Sequence, residues 1–261
     1  GFISSKDKAR ALAKMNEAYD ASVIYSSRDL DVYGLALVED KKPDEATAVF
    51  QKLASDFPNP PGTAATAAPP AIQEAQAISI FGLGRVAQEK KQTAEAGKLF
   101  QQLKALYPWS SKVLEADYGI AESLQAEGKL DDALKLLPAI IRAQNGSAEL
   151  RAKAFLLAGF IMKQKSAAEA DPKQKSEFRG QAIDFFTKIA QLYAGVPIPA
   201  TEGLWQGSQL LEEQASSSTD EKFKTQQLDR AKTWYQQLVK DYPDSPYTPK
   251  AKERLKALGV P

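Results

Sequence analysis

The sequence predicts an all-α fold, a stack of about five helical hairpins with one extra helix at each end. The first observation is an aromatic residue directly before proline, which occurs at Phe57-Pro58, Tyr107-Pro108 and Tyr242-Pro243. The second is the segment before each of these pairs, because all three segments share one spacing of apolar residues. The third is a small residue twelve positions before the alanine of the first two segments, Gly34 before Ala46 and Gly84 before Ala96. Together they indicate an internal repeat of paired helices.

The repeated second helix is read from DEATAVFQKLASDFP (44–58), AEAGKLFQQLKALYP (94–108) and DRAKTWYQQLVKDYP (229–243). Alanine, a large ring, leucine and a terminal aromatic follow at spacings of 4, 3 and 4 residues, which puts them on one helix face. Proline ends the helix because it lacks an N–H and disfavours helical backbone in the residue before it. With two weaker copies, the predicted repeat residues are Ala96, Phe100, Pro108, Ala133, Ala182, Phe186, Ala231, Tyr235 and Pro243.

Each second helix has a first helix before it. Gly84 lies twelve residues ahead of Ala96, and Ala121 lies twelve ahead of Ala133. A small residue on each helix allows the two axes to approach closely. Gly128 suits a left-handed turn between two such helices.

This pattern resembles the tetratricopeptide repeat, a helix–turn–helix unit of about 34 residues with small residues, an aromatic residue and a terminal proline. Residues 77–110 match it best, with Leu83-Gly84, Ala96, Phe100 and Pro108 in register. The resemblance implies a right-handed superhelical stack whose first helices line a concave surface. It also implies a protein that binds peptide or protein segments on that surface.

The ending YPDSPYTPKAKERL (242–255) resembles a narrower group, the repeat proteins of the bacterial envelope. That group includes the lipoprotein that assists outer-membrane β-barrel assembly and the periplasmic coordinator of the Tol–Pal system. The resemblance implies an exported, periplasmic protein with a role in envelope assembly. The residues themselves leave a cytoplasmic location open, since the absence of cysteine fits both compartments.

The predicted organisation departs from a regular 34-residue period. An N-terminal helix (1–28) packs on the first repeat, a Pro/Ala-rich loop covers 58–70, and the array spans 28–258. Two polar inserts, 165–178 and 213–226, lengthen the last two hairpins by about 1–2 turns per arm. The predicted hairpins are 28–58, 71–108, 111–145, 148–194 and 200–243, followed by a capping helix at 246–258.

The composition excludes several chemistries. The chain has no histidine and no cysteine, so thiolate or imidazole metal sites, cysteine nucleophiles and histidine bases are impossible. GLGRVA (82–87) matches a dinucleotide fingerprint but lies within a predicted helix instead of after a strand. Ser5-x-x-Lys8 matches a serine–lysine pattern but lacks its companion motifs. We therefore expect no catalytic residues, no metal and no cofactor.

The predicted binding surface follows from projecting the first helices onto the inner face of the array. Aromatic rings with a few interspersed polar groups are typical of a peptide groove. The alternative is that part of the set only fills the inner curve of the stack. The predicted partner-binding residues are Phe81, Arg85, Tyr118, Glu122, Phe160, Lys163, Trp205 and Gln209.

The resulting hypothesis is a non-enzymatic scaffold that binds a protein or peptide segment. The 33 acidic and 34 basic residues nearly cancel, which does not favour nucleic acid as a partner. No apolar run reaches the ~18–20 residues of a membrane span. The alternatives are a helical-repeat enzyme or glycan-binding protein that uses carboxylates, and a structural spacer of a larger protein. Oligomeric state stays open.

Overall fold

The protein is all-helical in the part that the computed structural model describes, residues 5–61 and 63–260. These residues form twelve α-helices and one short 3₁₀ helix (Ala65–Ala67), with no strand among them, so the predicted fold class is confirmed. The first four residues of the predicted N-terminal helix, residue 62 of the predicted loop and the side chains of Ser5 and Lys8 lie outside the description. The helices are α1 Ser5–Ala18, α2 Ser27–Glu39, α3 Pro43–Asp56, α4 Pro70–Glu89, α5 Thr93–Leu106, α6 Val113–Ala126, α7 Leu130–Arg142, α8 Ala148–Ala168, α9 Pro172–Leu192, α10 Pro197–Ser216, α11 Glu221–Asp241 and α12 Thr248–Ala257.

The chain divides into two compact units, and the division falls inside α7. Among the described residues, the N-terminal unit extends to Leu136 and the C-terminal unit begins at Leu137. In the N-terminal unit, α4 packs against both α2 and α6, the first helices of the neighbouring hairpins. In the C-terminal unit, α10 packs against α8, α9 and α11, and α12 covers α11.

In the hairpins α2–α3, α4–α5 and α8–α9, an aromatic ring of the second helix lies against glycine on a first helix. The ring of Phe100 is fully buried and lies between Gly84 of α4 and Gly119 of α6. A Cβ added to Gly84 would lie 2.5 Å from that ring. Phe50 lies between Gly34 and Gly82 in the same way. Each ring therefore joins its own hairpin to the next one.

The C-terminal unit repeats this packing with longer helices. Phe186 is fully buried, and a Cβ on Gly159 would lie 2.5 Å from its ring. Helices α8 and α9 have 21 residues each, whereas α5 and α6 have 14. The extra seven residues are about two turns, as the polar inserts predict. Helix α4 is also long, with 20 residues, a feature that the repeat pattern does not predict.

The tight turns between paired helices use left-handed backbone at one position. Gly128 has φ +76°, which confirms the predicted left-handed turn after α6. Lys41 and Lys91 occupy the same position after α2 and α4, with φ of 63° and 59°. Left-handed backbone costs a non-glycine residue a small amount of conformational free energy. The packing of the two helices therefore imposes the geometry of the turn.

Three helix boundaries differ from the sequence prediction. Helix α1 ends at Ala18 instead of continuing to residue 28, and α2 starts at Ser27, where the Ser26 hydroxyl caps it by accepting the Asp29 N–H at 3.1 Å. The last helix starts at Thr248 instead of 246, since the Thr248 hydroxyl donates to the Tyr242 carbonyl at 2.6 Å.

The start of α11 also differs from the prediction. A serine followed three residues later by glutamate, as in Ser218-x-x-Glu221, favours a capping box with Ser218 as the N-cap. Asp220 is the cap instead, and its carboxylate accepts the N–H groups of Lys222 and Phe223. A carboxylate one residue before the first turn outcompetes a serine hydroxyl two residues further back.

The Pro/Ala-rich loop between α3 and α4 is partly anchored to the core. Ala64, Ala68 and Pro69 have the extended backbone expected of a polyproline-like segment. Ala68, however, is only 4 % exposed, and the Gln73 amide donates to the carbonyls of Thr66 and Ala68. The loop is therefore less solvated than its composition predicts.

The ring–glycine contact predicts opposite effects for two alanine substitutions in one hairpin. Gly84→Ala forces a methyl group into the Phe100 ring, so we expect a loss of ~1–3 kcal/mol of unfolding free energy. Gly97→Ala on α5 meets its nearest atom at 3.6 Å, so helix propensity should raise stability by up to ~1 kcal/mol. Urea denaturation measures both values. Equal effects of the two variants would contradict the packing described above.

Candidate functional site

Three of the predicted binding residues lie together on the N-terminal unit. The Arg85 guanidinium on α4 is 3.0 Å from the Glu122 carboxylate on α6, and Tyr118 lies one turn before Glu122. Gln88 completes the cluster: its amide oxygen accepts from Arg85 at 2.7 Å, and its amide nitrogen donates to Glu122 at 3.2 Å. Burial, and then the Glu122 carboxylate, raises the pKa of Tyr118 well above its ordinary value. The phenol is therefore a permanent hydrogen-bond donor at this position.

An open pocket of about 250 Å³ lies beside this cluster. Its walls come from the C-terminal ends of the three first helices and from the start of α5. Most of its charged groups are already paired, since Arg85 contacts Glu122 and Glu89 contacts Lys41 at 2.8 Å. The lining residues are Val38, Arg85, Gln88, Glu89, Thr93, Glu122, Ser123 and Ala126.

The other end of the same α4 face carries a second polar cluster. The Lys112 ammonium group is 2.5 Å from Asp31 on α2 and 5.1 Å from the centroid of the Phe81 ring. Ser111 donates its N–H (3.2 Å) and its hydroxyl to Glu74 on α4. Glu74, Phe81 and Gln88 follow at seven-residue spacing, so they share one side of α4. We call the surface formed by α2, α4 and α6 the first-helix face.

Phe81 and Trp205, two of the predicted partner-binding residues, are buried. Phe81 is 5 % exposed and packs with its ring centroid 5.8 Å from that of Phe100. Trp205 is 9 % exposed, because Tyr247 before α12 stacks on it at 5.7 Å and Tyr235 covers its other side at 5.6 Å. Both belong to the cores, as the alternative interpretation of this set allows.

The remaining predicted residues of the C-terminal unit lie in or beside a polar network. The Lys163 ammonium donates to Gln206 at 2.7 Å, and the Gln206 amide donates to Glu202 at 2.9 Å. Tyr247 donates its hydroxyl to the same Glu202 carboxylate. Phe160 meets the Phe186 ring edge-on at 5.8 Å, and Gln209 is half-buried one turn beyond Trp205. The two predicted aromatic residues of this unit, Phe160 and Trp205, are therefore used in packing.

Comparison with known proteins identifies the repeated unit. A family model described as tetratricopeptide repeat matches residues 33–60, 79–109 and 204–245. These three segments, which together cover less than half of the chain, are similar to the tetratricopeptide repeat. The matched segments fall on the hairpins α2–α3, α4–α5 and α10–α11. No curated protein matches the chain significantly.

The first helices of the two units differ in charge. Helices α2, α4 and α6 together carry eight acidic and two basic side chains. In the C-terminal unit, α8, α10 and α12 together carry five acidic and eight basic side chains. The nearly neutral composition of the whole chain hides this difference. The acidic side chains of α2, α4 and α6 are partly neutralised by ion pairs, among them Lys41–Glu89, Lys104–Asp117 and Lys112–Asp31.

The described residues contain no group of three or more acidic residues that could hold a metal ion. None of the helices in the described part is long and apolar enough to cross a membrane.

Four residues of the two polar clusters are not among the residues predicted from the sequence: Gln88, Asp31, Glu74 and Lys112. Gln88 stands one turn after Arg85 and has helical spacing with it, which is a usable signal. Asp31 and Lys112 are 81 residues apart, and no sequence pattern connects them.

The burial of Trp205 predicts a stability effect. Trp205→Ala should lower the free energy of unfolding by ~3–5 kcal/mol, because the ring fills the space between Tyr235 and Tyr247. Trp109→Ala is the control: that ring is 52 % exposed, so its loss should change stability by about 0.5 kcal/mol or less. Thermal or urea denaturation measures both. Similar losses in the two variants would contradict the assignment of Trp205 to the core.

The Tyr247–Glu202 bond predicts a shifted titration. Burial and the Glu202 carboxylate raise the pKa of Tyr247 from 10.0 to about 12, because a phenolate there would face a negative charge. The contribution of the protonated Tyr247 phenol to the free energy of unfolding is therefore present below pH 10.0 and is lost as the pH rises towards about 12. The difference in absorbance between wild type and Tyr247→Phe isolates this phenol. The midpoint of this difference titration should fall when Glu202→Gln is introduced into both the wild type and the Tyr247→Phe variant. An unchanged midpoint would contradict the hydrogen bond between Tyr247 and Glu202.

Proposed function

We propose that the protein binds a peptide or protein segment on the first-helix face of its N-terminal unit. Tetratricopeptide repeats generally mediate protein–protein interactions, and three segments of this chain match them. The observation that carries the choice of face is the open pocket beside Arg85, Gln88 and Glu122, which contains both donors and acceptors. Such groups fix the orientation of a bound segment.

We place the binding face on the N-terminal unit because other residues cover the first helices of the C-terminal unit. In the C-terminal unit, Tyr247 stacks on Trp205, and the Lys250 ammonium lies 5.8 Å from the Tyr247 ring. A partner would have to displace these contacts. In the N-terminal unit the pocket is open, so a segment enters without unpacking a helix.

Binding is favoured over catalysis by the state of the carboxylates. A general acid–base pair requires two carboxyl groups that converge on one cleft with different proton affinities. Glu122 and Glu89 instead face Arg85 and Lys41. Tetratricopeptide repeat proteins are typically non-enzymatic scaffolds. If the protein is a structural spacer, which is the other alternative, it binds no segment on this face.

A blocking substitution tests this proposal. Ala126 is exposed on the rim of the pocket, and Ala105 is exposed in the groove formed by α5, α6 and α7. Peptides selected from a random display library on the full chain should lose at least about tenfold in affinity with Ala126→Trp. Ala105→Trp should leave their affinity unchanged. Fluorescence anisotropy with the labelled peptides gives both values.

Two results would contradict the proposal. If Ala105→Trp blocks binding and Ala126→Trp does not, the segment binds in the groove formed by α5, α6 and α7. If the library yields no peptide that binds, the face is not a general segment-binding surface and the spacer alternative gains support.

We also propose an exported location with a role in envelope assembly, on the resemblance of residues 242–255 to envelope repeat proteins. This proposal is independent of the binding face. Fractionation of the native host should recover the protein outside the cytoplasm. Recovery only with cytoplasmic markers would remove both the location and the envelope role.

A further inference from the structure

The open pocket on the first-helix face contains polar atoms that stay free. The Nη1 group of Arg85 donates to Gln88 at 2.7 Å and to Glu122 at 3.0 Å. Its Nε and Nη2 groups have no hydrogen-bond partner in the part of the chain that the structure describes, and the side chain is 34 % exposed. Glu89 pairs with Lys41 through Oε2, so its Oε1 atom remains an available acceptor. The pocket therefore offers both donors and an acceptor to an incoming group.

The charges around this pocket cancel. Arg85 lies against Glu122, and Glu89 lies against Lys41 at 2.8 Å. An incoming carboxylate would meet the two glutamates, and an incoming ammonium group would meet the arginine and the lysine. Either group would lose part of its hydration and face a like charge, which is costly. A neutral group that both donates and accepts hydrogen bonds meets neither penalty.

A side-chain carboxamide has this combination of groups. The amide of glutamine or asparagine provides two N–H donors and a carbonyl oxygen with two lone pairs. A hydroxyl group provides only one donor, and an apolar side chain would leave the free atoms of Arg85 and Glu89 without water or a partner. A main-chain peptide group also has a donor and an acceptor, but its two flanking Cα atoms keep it outside a concave pocket. A side chain projects into such a pocket.

The chain itself already holds two carboxamides in this way. The Gln88 amide joins a cation of α4 to a carboxylate of α6. In the C-terminal unit, the Gln206 oxygen accepts from Lys163 at 2.7 Å, and the Gln206 nitrogen donates to Glu202 at 2.9 Å. An amide between a cation and a carboxylate is therefore an arrangement that the first helices of both units form.

The position of the free atoms suits a side chain that enters from solvent. Arg85 and Glu89 are four residues apart on α4, so their side chains are neighbours on one helix face. Val38 and Ala126 form apolar parts of the pocket wall, against which the methylene groups of an entering side chain pack. Ala126 is exposed on the rim, which leaves the entrance open.

We infer that the partner segment inserts a glutamine or asparagine side chain into the pocket between Arg85 and Glu89. This inference rests on the proposed segment-binding function and adds the chemistry of the partner. The amide oxygen accepts from the free N–H groups of Arg85, and the amide nitrogen donates to Glu89 Oε1. The Arg85–Glu122 and Lys41–Glu89 pairs stay intact, so binding breaks no ion pair.

Peptides selected on the full chain from a random display library supply the probes, restricted to those that Ala126→Trp blocks. Their sequences should share a glutamine or asparagine at one position. Each peptide is then made with the amide residue, with its isosteric acid and with alanine at that position. Fluorescence anisotropy should show that the acid and alanine forms bind the wild-type protein at least about tenfold more weakly. The acid brings a charge towards two glutamates, and alanine makes neither hydrogen bond.

Substitution of Glu89 shows where the amide binds. Glu89→Gln removes the negative charge and introduces an amide that can donate to an incoming carboxylate. The loss on changing the peptide amide to the acid should therefore fall from about tenfold to less than about threefold. Glu17→Gln is the matched control and should leave that loss unchanged, since Glu17 is exposed on α1 of the same unit and does not line the pocket. Circular dichroism should show similar melting of both variants and the wild type, because Lys41 is largely exposed and its pair with Glu89 adds little stability.

Three results would overturn the inference alone. Peptides that Ala126→Trp blocks but that share no glutamine or asparagine would remove it and leave the proposed function standing. An equal effect of the amide-to-acid change in wild type and Glu89→Gln would show that the amide lies outside the pocket. An equal rescue by Glu17→Gln would reduce the effect to overall charge. Failure to select any peptide that Ala126→Trp blocks would instead remove the proposed function, and this inference with it.

Discussion

The contact between an aromatic ring and a glycine on the neighbouring helix determines most of this structure. Phe50 and Phe100 each lie between glycines of two successive first helices, and Phe186 lies against Gly159. A ring in that position replaces the side chains that would otherwise separate the helix axes. The same ring joins one hairpin to the next, so it sets both the geometry of the repeat and the relation between adjacent repeats within a unit. The first helices are then held side by side, which creates the face that carries the polar residues.

The sequence allowed this part of the fold to be predicted because the information is local. Gly84 and Ala96 are twelve residues apart, and the ring and terminal aromatic follow at helical spacing. Those distances fit one hairpin only. The lengths of α8 and α9 were also predictable, because polar helix-forming inserts have no place in a short hairpin. Helix starts were less predictable: at α11, Asp220 and Ser218 are both acceptable caps by composition, and only the backbone path selects the aspartate.

The candidate site could be predicted only in part, since burial of a side chain depends on residues distant in sequence. Arg85 and Trp205 both stand on first helices at positions that the repeat directs to the inner side. Arg85 stays accessible next to the pocket, whereas Trp205 is covered by Tyr247, a residue that follows the last repeat. The polar cluster of Asp31, Glu74 and Lys112 is further from prediction. Asp31, Glu74 and Lys112 come from three hairpins, and each is unremarkable in its own segment. Their significance appears only when the rings of Phe50 and Phe100 have brought the three first helices together.

The packing of Phe100 against two glycines is tested most directly by proton NMR of the folded protein. The ring protons of Phe100 should show strong nuclear Overhauser effects to the Hα atoms of both Gly84 and Gly119, and ring currents should shift these Hα signals. Effects to both glycines would show that one ring joins two successive first helices. A spectrum in which Phe100 contacts neither glycine, or only Gly84, would contradict the account of how the hairpins join and how the first-helix face forms.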